Sequence, residues 1–571
     1  MIKRLRFILQ PSALILFYLL ITLITLNALT VNFTTALPGT LIVQPNDRIQ
    51  PSEFDIFAWN LWWVKHAVFD LHISPLYTNY VIYPFTSPLA GHTLALLWGL
   101  ISAPFQIVFG LIPTFNGIIV VSFVLAAAFM YTFVRRHVQH QSLAVLAGLI
   151  FAFTPAMLHR ASVGHLDKIS IFWLPLILLA WDKVVETRRG TWTIITGLCL
   201  YLSWLTDFQQ AMWVMCLLVP YAIYTFALHP FPIGERARVR VAVLVPVALV
   251  AFIIPALFAP LPQLIEANRL NYPPARLEDT VYFAFPLQNF LMPGDNGDFS
   301  IGRLLPILAL ASIPFVRRDG RRWFWLIVAV GCFVLALGPY IDIGSTRIPL
   351  PYSIVHWLLG NQYRTPMRFA TPGVFALAMF VAFSLDRFLT RLNFDRVRRW
   401  SAVAGLIGLF ILDYRLLQPF PITIMPDYQA YHTLANAPGD FAVLEVPIGV
   451  RTGFAIVGRG EYLQYYALIH QHPIPSGYLS RLPNEITDFF YHDPLIGALT
   501  LSHAFPPMAE VDAQLSNLIR DWKIGYVILH RDMLEPGRVR SFGNLFDRQP
   551  LLERVGEEGP LVIYKAKDTA Q

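Results

Sequence analysis

The stretch Pro51-Ser52-Glu53-Phe54-Asp55-Ile56-Phe57-Ala58-Trp59-Asn60-Leu61-Trp62-Trp63 sets two carboxylates against three tryptophans. It follows the first long apolar run, from about Ser12 to Phe33. Acidic groups are costly in or beside hydrocarbon, so a pair placed there needs a physical reason. Tryptophans suit the lipid–water interface, which leaves the carboxylates to act as bases, bind a polar headgroup or cap a helix. Ser52-x-x-Asp55 has the form of a capping box, with Asp55 at the third helical position. Capping and chemistry are compatible, because a cap fixes the direction of its carboxylate. Residues two apart on a helix point to nearly opposite sides. Both acids can therefore serve one site only if Glu53 precedes the helix.

Of the 571 residues, 56% are hydrophobic and only 14% are charged, which is too apolar for a soluble globular chain. Several runs approach the roughly 20 apolar residues needed to cross a bilayer, so the sequence predicts a polytopic membrane protein. The net charge of +7 comes from short basic clusters between apolar runs, the pattern of membrane loops and not of nucleic-acid binding. Cys199, Cys216 and Cys332 all fall within apolar runs and read as packing residues without a disulfide framework. The basic start Met1-Ile2-Lys3-Arg4-Leu5-Arg6 precedes an apolar run too long for a cleaved signal peptide and reads as a retained anchor.

Candidate spans lie near 12–33, 91–111, 115–134, 143–158, 169–185, 191–207, 209–228, 239–260, 301–316, 322–340, 369–389 and 400–418. Basic clusters at Lys3/Arg4/Arg6, Arg135/Arg136, Lys183/Arg188/Arg189, Arg236/Arg238/Arg240, Arg317/Arg318/Arg321/Arg322 and Arg387–Arg399 all belong in the cytoplasm by the positive-inside rule. They all fall there only if 91–111, which holds Pro104 and Gly110, is re-entrant or interfacial. The expectation is then about eleven spans, with the N-terminus inside and the C-terminal part outside. The sequence thus divides into a transmembrane part, 1–418, with a large first external loop at 34–114, and a soluble part, 419–571. The latter has more charge and more turns, with strands expected at 441–446, 524–530 and 560–564 and a helix at 514–522. It reads as an extracytoplasmic α/β or α+β domain of ordinary size.

This topology gathers polar groups on the outer face. They are Glu53, Asp55 and Asn60; His159-Arg160 with His165-Leu166-Asp167-Lys168; Asp207 with Gln209 and Gln210; and Asn361-Gln362-Tyr363-Arg364-Thr365-Pro366-Met367-Arg368. Ionisable groups are dense in the second of these, more than a solvated turn needs, and His165 is close enough to pair with Asp167. Arg364 and Arg368 sit against the positive-inside trend. Arginine matches phosphate in bidentate geometry, but it also snorkels to lipid phosphates. Asp207 and Gln209 suit sugar hydroxyls, or simply end two helices. Glu53, Asp55, His165 and Asp167 form an oxygen-rich set that could take Mg²⁺ or Mn²⁺, though no spacing is diagnostic, and no cofactor is expected. No phosphate-cradling glycine loop or nucleophile elbow is present in the sequence.

The acidic Glu53-Phe54-Asp55 in the first external loop, the non-crossing 91–111 segment and Asp167 in the second loop resemble the GT-C superfamily of integral-membrane glycosyltransferases. Gly164-His165-Leu166-Asp167 and Tyr363 to Phe369 also resemble elements of related bacterial membrane proteins. The resemblance implies an inverting transferase in a bacterial inner membrane. Its donor would be a polyprenyl-phosphate sugar lipid and its acceptor a cell-envelope glycan or protein. It implies Asp55 as general base, with Glu53, Asp167 and His165 assisting. Arg364, Arg368, Arg160 and Lys168 would hold the donor phosphate, and Asn60, Trp59, Asp207, Gln209 and Asn361 would contact sugar or acceptor. An envelope-lipid transporter or flippase, and a non-catalytic membrane scaffold, are the rival readings. A transporter would place its charges near the bilayer midplane, whereas here they gather at an edge.

Overall fold

The computed structural model describes residues 10–41, 53–89, 91–228, 269, 272, 274–290, 300–315, 320–504 and 507–567. The span expected at 239–260, Ser52 of the capping box, and the clusters Lys3/Arg4/Arg6 and Arg236/Arg238/Arg240 lie outside them. The chain divides into two units. One comprises Met1–Phe33, Asn116–Phe258 and Pro274–Pro421; the other comprises Thr34–Phe115, Ala259–Pro273 and Ile422–Gln571.

The first unit is helical. Its centre is the helix Ala370–Arg391, buried continuously from Ala370 to Ser384. Among the described residues, two helical runs are long and apolar enough to cross a membrane, Leu111–His137 and Pro366–Arg391. The bent pair Gln141–Ala152 and Pro155–Ser162 makes a third if taken as one span. The expectation of about eleven spans is corrected by this finding. Apolar composition reports burial, and burial inside a helical bundle needs less length than a bilayer does. Pro11–Thr25 and Trp173–Thr187 have 15 residues, and Gly190–Thr206 and Gly320–Ala336 have 17. At about 1.5 Å per residue these fall short of a hydrocarbon layer of roughly 30 Å. Tight approach holds the bundle together: a Cβ on Gly148 would lie 2.6 Å from the Ala127 carbonyl oxygen and against the Tyr18 ring.

In the second unit, residues from the early loop and from the C-terminal part share one core. The helix Phe54–Lys65 is buried along its whole length from Phe54 to Val64. A helix buried on every side is a core helix, so Trp59, Trp62 and Trp63 pack inside this unit and form no interfacial belt. Beside it runs Leu96–Phe109, a 14-residue helix containing Pro104 and ending at Gly110 with φ 85°. The two helices meet where Gly99 has no side chain, since a Cβ there would lie 2.5 Å from Val64 Cβ.

The C-terminal part carries a four-stranded sheet in the order Leu552–Glu558, Leu561–Ala566, Ile524–His530, Ala442–Val446. The last pair is parallel and the other two are antiparallel. Ala442–Val446 is buried at every position, as suits a strand covered on both faces. The helix expected at 514–522 is observed as Met508–Asp521, and a second, Pro536–Arg548, has no counterpart in the sequence reading.

Candidate functional site

Asp55 is the second residue of the helix Phe54–Lys65, and Glu53 precedes its first residue without capping it by side chain. The two acids can therefore face a common region, as the sequence required. Asp55 is 2% exposed. Its Oδ2 accepts a hydrogen bond of 2.9 Å from Gln464 Nε2, and its Oδ1 has no hydrogen-bond partner among the described residues. Gln464 is itself fixed, because its Oε1 accepts from the Tyr478 backbone N–H at 2.9 Å. Glu53 Oε1 pairs with Arg451 Nη2 at 3.5 Å, and the Arg451 guanidinium lies 5.4 Å from the centre of the Tyr478 ring.

Burial pushes the Asp55 carboxyl up from an ordinary 3.8 to about 7. The Arg451 charge and the Gln464 hydrogen bond pull it down, and the Glu461 charge adds to the rise, but desolvation dominates. A carboxylate poised near neutrality, with one oxygen held and the other without a hydrogen-bond partner among the described residues, has the properties of a general base.

A polar chain on the next turn ties the same helix to both flanking segments. The Ser480 N–H donates to His92 Nδ1 at 3.1 Å, so the ring proton belongs on Nε2. That proton is given to Asn60 Oδ1 at 2.8 Å, and Asn60 Nδ2 donates to the Thr93 carbonyl at 2.8 Å. Asn60 is therefore a buried tie, and Trp59, fully buried, stacks on Trp63 with ring centres 5.7 Å apart.

The remaining residues singled out by sequence lie in the helical unit. Lys168 Nζ sits 2.8 Å from Asp167 Oδ2 and is hydrogen-bonded to Asp207 Oδ2, with all three groups buried. Gln210 Nε2 donates to the Asp167 carbonyl at 2.8 Å, and the Gln209 backbone N–H donates to Asp207 Oδ1 at 3.2 Å. Arg368 Nη1 donates to Gln209 Oε1 at 3.1 Å. His165 is half-buried at the start of the short helix Leu166–Ile169, so Asp167 takes its cation from Lys168. Arg160 is 1% exposed and donates to Thr371 Oγ1 at 3.0 Å. The cavity beside Arg160 is about 10 Å³, the size of one water and too small for a phosphate. The Arg364 guanidinium lies 5.0 Å from the centre of the Phe283 ring. Asn361 is exposed, with φ 57°, and its carbonyl accepts the Ala275 N–H. Among the described residues no three of His, Cys, Asp and Glu converge as metal ligands.

Sequence reasoning missed Arg451, Glu461, Gln464, His92 and Ser480. Gln464 is 409 residues from Asp55, and nothing in its local text marks it. The nearest signal in the sequence is the neighbouring cluster of Tyr462, Tyr465, Tyr466, Tyr478 and Arg481, which suits carbohydrate stacking and an ordinary core alike.

The sequence matches no protein-family profile and no curated relative. Among solved structures it is similar to the arabinofuranosyltransferase AftD from Mycobacteria, in a mutant form, with a TM-score of 0.54 and 13% identity. That match covers 98% of this chain and 42% of the longer one. It is also similar to ArnT from Cupriavidus metallidurans bound to undecaprenyl phosphate, with a TM-score of 0.50 and 12% identity over 98% of both chains. The Archaeoglobus fulgidus oligosaccharyltransferase aligns over 92% of this chain and 70% of its own length, with a TM-score of 0.46 and 13% identity. The chain thus shares its fold with AftD and ArnT.

Proposed function

We propose that this chain, built on the GT-C fold, is a membrane glycosyltransferase that moves a sugar from a polyprenyl-phosphate donor to a hydroxyl of a cell-envelope acceptor, with Asp55 as general base. The observation that carries the reading is Asp55 itself: buried, pushed up to about 7, held through Oδ2 by Gln464 and, among the described residues, without a hydrogen-bond partner at Oδ1. The fold shared with AftD and ArnT supports the reaction class, and the undecaprenyl phosphate bound to ArnT suggests the chemical type of the donor.

In this reading the acceptor hydroxyl gives its proton to Asp55 Oδ1 as its oxygen attacks the anomeric carbon. A new carbon–oxygen bond forms there, and the bond from that carbon to the donor phosphate breaks on the opposite side. Polyprenyl phosphate leaves with the electron pair, and the sugar is inverted. Glu53 and Arg451 keep the surroundings of the base close to neutral in charge. Arg368 and Arg364 are the proposed contacts for the donor phosphate, because Lys168 is already engaged by two carboxylates and the cavity beside Arg160 has room for about one water. The proposed place of the reaction is the outer face of a bacterial cytoplasmic membrane.

The test is turnover of a labelled polyprenyl-phosphate sugar by the purified protein in lipid, wild type against Asp55→Asn. Consumption by wild type and not by a folded Asp55→Asn variant supports the reading. Equal consumption by both removes Asp55 from the chemistry, and no consumption by wild type favours a transporter or scaffold.

A further inference from the structure

A groove of about 330 Å³ in the helical unit is lined by Leu14, Phe17, Val145, Trp400, Ala404 and Ile407. Every lining side chain is apolar but for the indole N–H of Trp400. Three helices form the walls: Pro11–Thr25, Gln141–Ala152 and Arg396–Asp413. Two hydroxyl bonds hold them at fixed spacing. Tyr18 Oη donates to the Val145 carbonyl at 2.9 Å, and Tyr414 Oη donates to the Ile150 carbonyl at 3.4 Å. The groove is thus a built feature of the bundle.

Charge is concentrated at one end of it. Positions 396, 400, 404 and 407 recur along one face of their helix, so Arg396 heads the stripe that continues as Trp400, Ala404 and Ile407. Arg396 is exposed and Arg399 half-exposed beside it, its Nε donating to the Asp395 carbonyl at 3.3 Å. All three wall helices begin near this end, since Leu14, Val145 and Trp400 fall within five residues of their first residues. Pro11–Thr25 and Gln141–Ala152 have no acidic residue at the N-cap or in the first turn, so their positive dipole ends add to the arginines. Among the described residues, Asp395 caps the helix Arg396–Asp413 by accepting the Arg398 N–H, and Asp386 holds His140. An apolar channel ending in cations and an indole is complementary to one amphiphile: an acyl chain carrying an anionic headgroup.

We propose that this groove is a binding site for an anionic phospholipid, with one acyl chain along Leu14, Phe17, Val145, Ala404 and Ile407 and its phosphate at Arg396 and Arg399. The site is distinct from the region around Asp55 and does not depend on the transferase reading.

The test is native mass spectrometry of the delipidated full chain in detergent, titrated with phosphatidylglycerol, phosphatidylcholine or undecaprenyl phosphate. Wild type is expected to retain phosphatidylglycerol over phosphatidylcholine by on the order of tenfold, from two arginines near the headgroup. The double variant Arg396→Gln/Arg399→Gln, exposed enough to fold normally, should lose that preference while keeping basal binding of both phospholipids. Ala404→Trp, which fills the groove, should weaken both alike. Equal retention of the two phospholipids by wild type overturns the proposal, as does an unchanged preference in the arginine variant. Displacement of phosphatidylglycerol by equimolar undecaprenyl phosphate would reassign the groove to the polyprenyl lipid.

Discussion

Gln464 Nε2 donates to Asp55 Oδ2 at 2.9 Å while Gln464 Oε1 accepts the Tyr478 backbone N–H. The second bond fixes the amide, because only the oxygen end can face an N–H donor. The Nε2 end must then face Asp55, and a proton arriving at this carboxyl has Oδ1 as its place to bind. One glutamine thus determines which oxygen of the buried acid is left for chemistry.

If Asp55 is the base, turnover depends on its deprotonated form. Its carboxyl lies at about 7, so kcat/KM should fall roughly tenfold per pH unit below that value and level off above it. A pH–rate profile of the wild type measures this directly. An acid limb near 4, the value of an exposed carboxylate, would mean that Asp55 does not limit the reaction.

Replacing Gln464 by Ala removes a hydrogen bond that favours the charged carboxylate. A bond to a charged group is worth about 1.5–3 kcal/mol, so the acid limb should move upward by about one to two pH units. A merely structural role would lower the rate at every pH and leave the limb in place. Arg451→Gln should move the limb in the same direction, because it removes the largest influence that lowers the Asp55 value.

The raised carboxyl also predicts a stability effect of definite sign. Between its unfolded value, near 4, and about 7, the native state holds more protons than the unfolded state, so stability declines as pH rises through that window. Asp55→Asn removes this penalty. The variant should gain thermal stability over wild type at pH 8 and lose that advantage toward pH 4, as followed by unfolding scans in detergent.

In the helical unit, Lys168 is the cation between the buried carboxylates of Asp167 and Asp207. Lys168→Met should destabilise by about 3–5 kcal/mol, the usual result of leaving buried charge uncompensated. Adding Asp207→Asn should restore part of the loss. Additive destabilisation in the double variant would show that the three groups do not act as a unit.

The C-terminal sheet contains a second buried charge cluster. Glu445 Oε2 takes hydrogen bonds from His530 Nε2 at 2.7 Å and Tyr431 Oη at 3.0 Å. His470 Nε2 stands 3.7 Å from Oε1, beyond hydrogen-bond range. Burial pushes the Glu445 carboxyl up, but His470 and His530 outweigh it and hold it below its ordinary 4.5. The resulting stability is present above about pH 4.5 and is lost as pH falls through the lowered native value. Glu445→Gln should lower the stability of this part by about 3 kcal/mol at pH 7 and flatten its acid dependence. Amide exchange of the strand Ala442–Val446 would report the change locally.

The sequence by itself determined chemistry and composition. Apolar runs marked the helical unit because burial selects apolar side chains wherever they pack, and turn-rich text with short apolar runs marked three of the sheet's four strands, leaving out Leu552–Glu558. The adjacency of Glu53 to Asp55 is local, so their relation to the helix start was legible too. The number of crossings was not, because a buried bundle helix and a spanning helix share one composition and differ in length, where short breaks such as Phe153–Thr154 decide. Tertiary structure alone decided what surrounds the acids. Gln464 and Arg451 reach Asp55 and Glu53 from almost 400 residues or more away, and contacts of that separation leave no periodicity to read. The tertiary structure also turned Trp59, Trp62 and Trp63 from an expected interfacial belt into core. A tryptophan's partner, lipid or protein, is set by what the fold places against it.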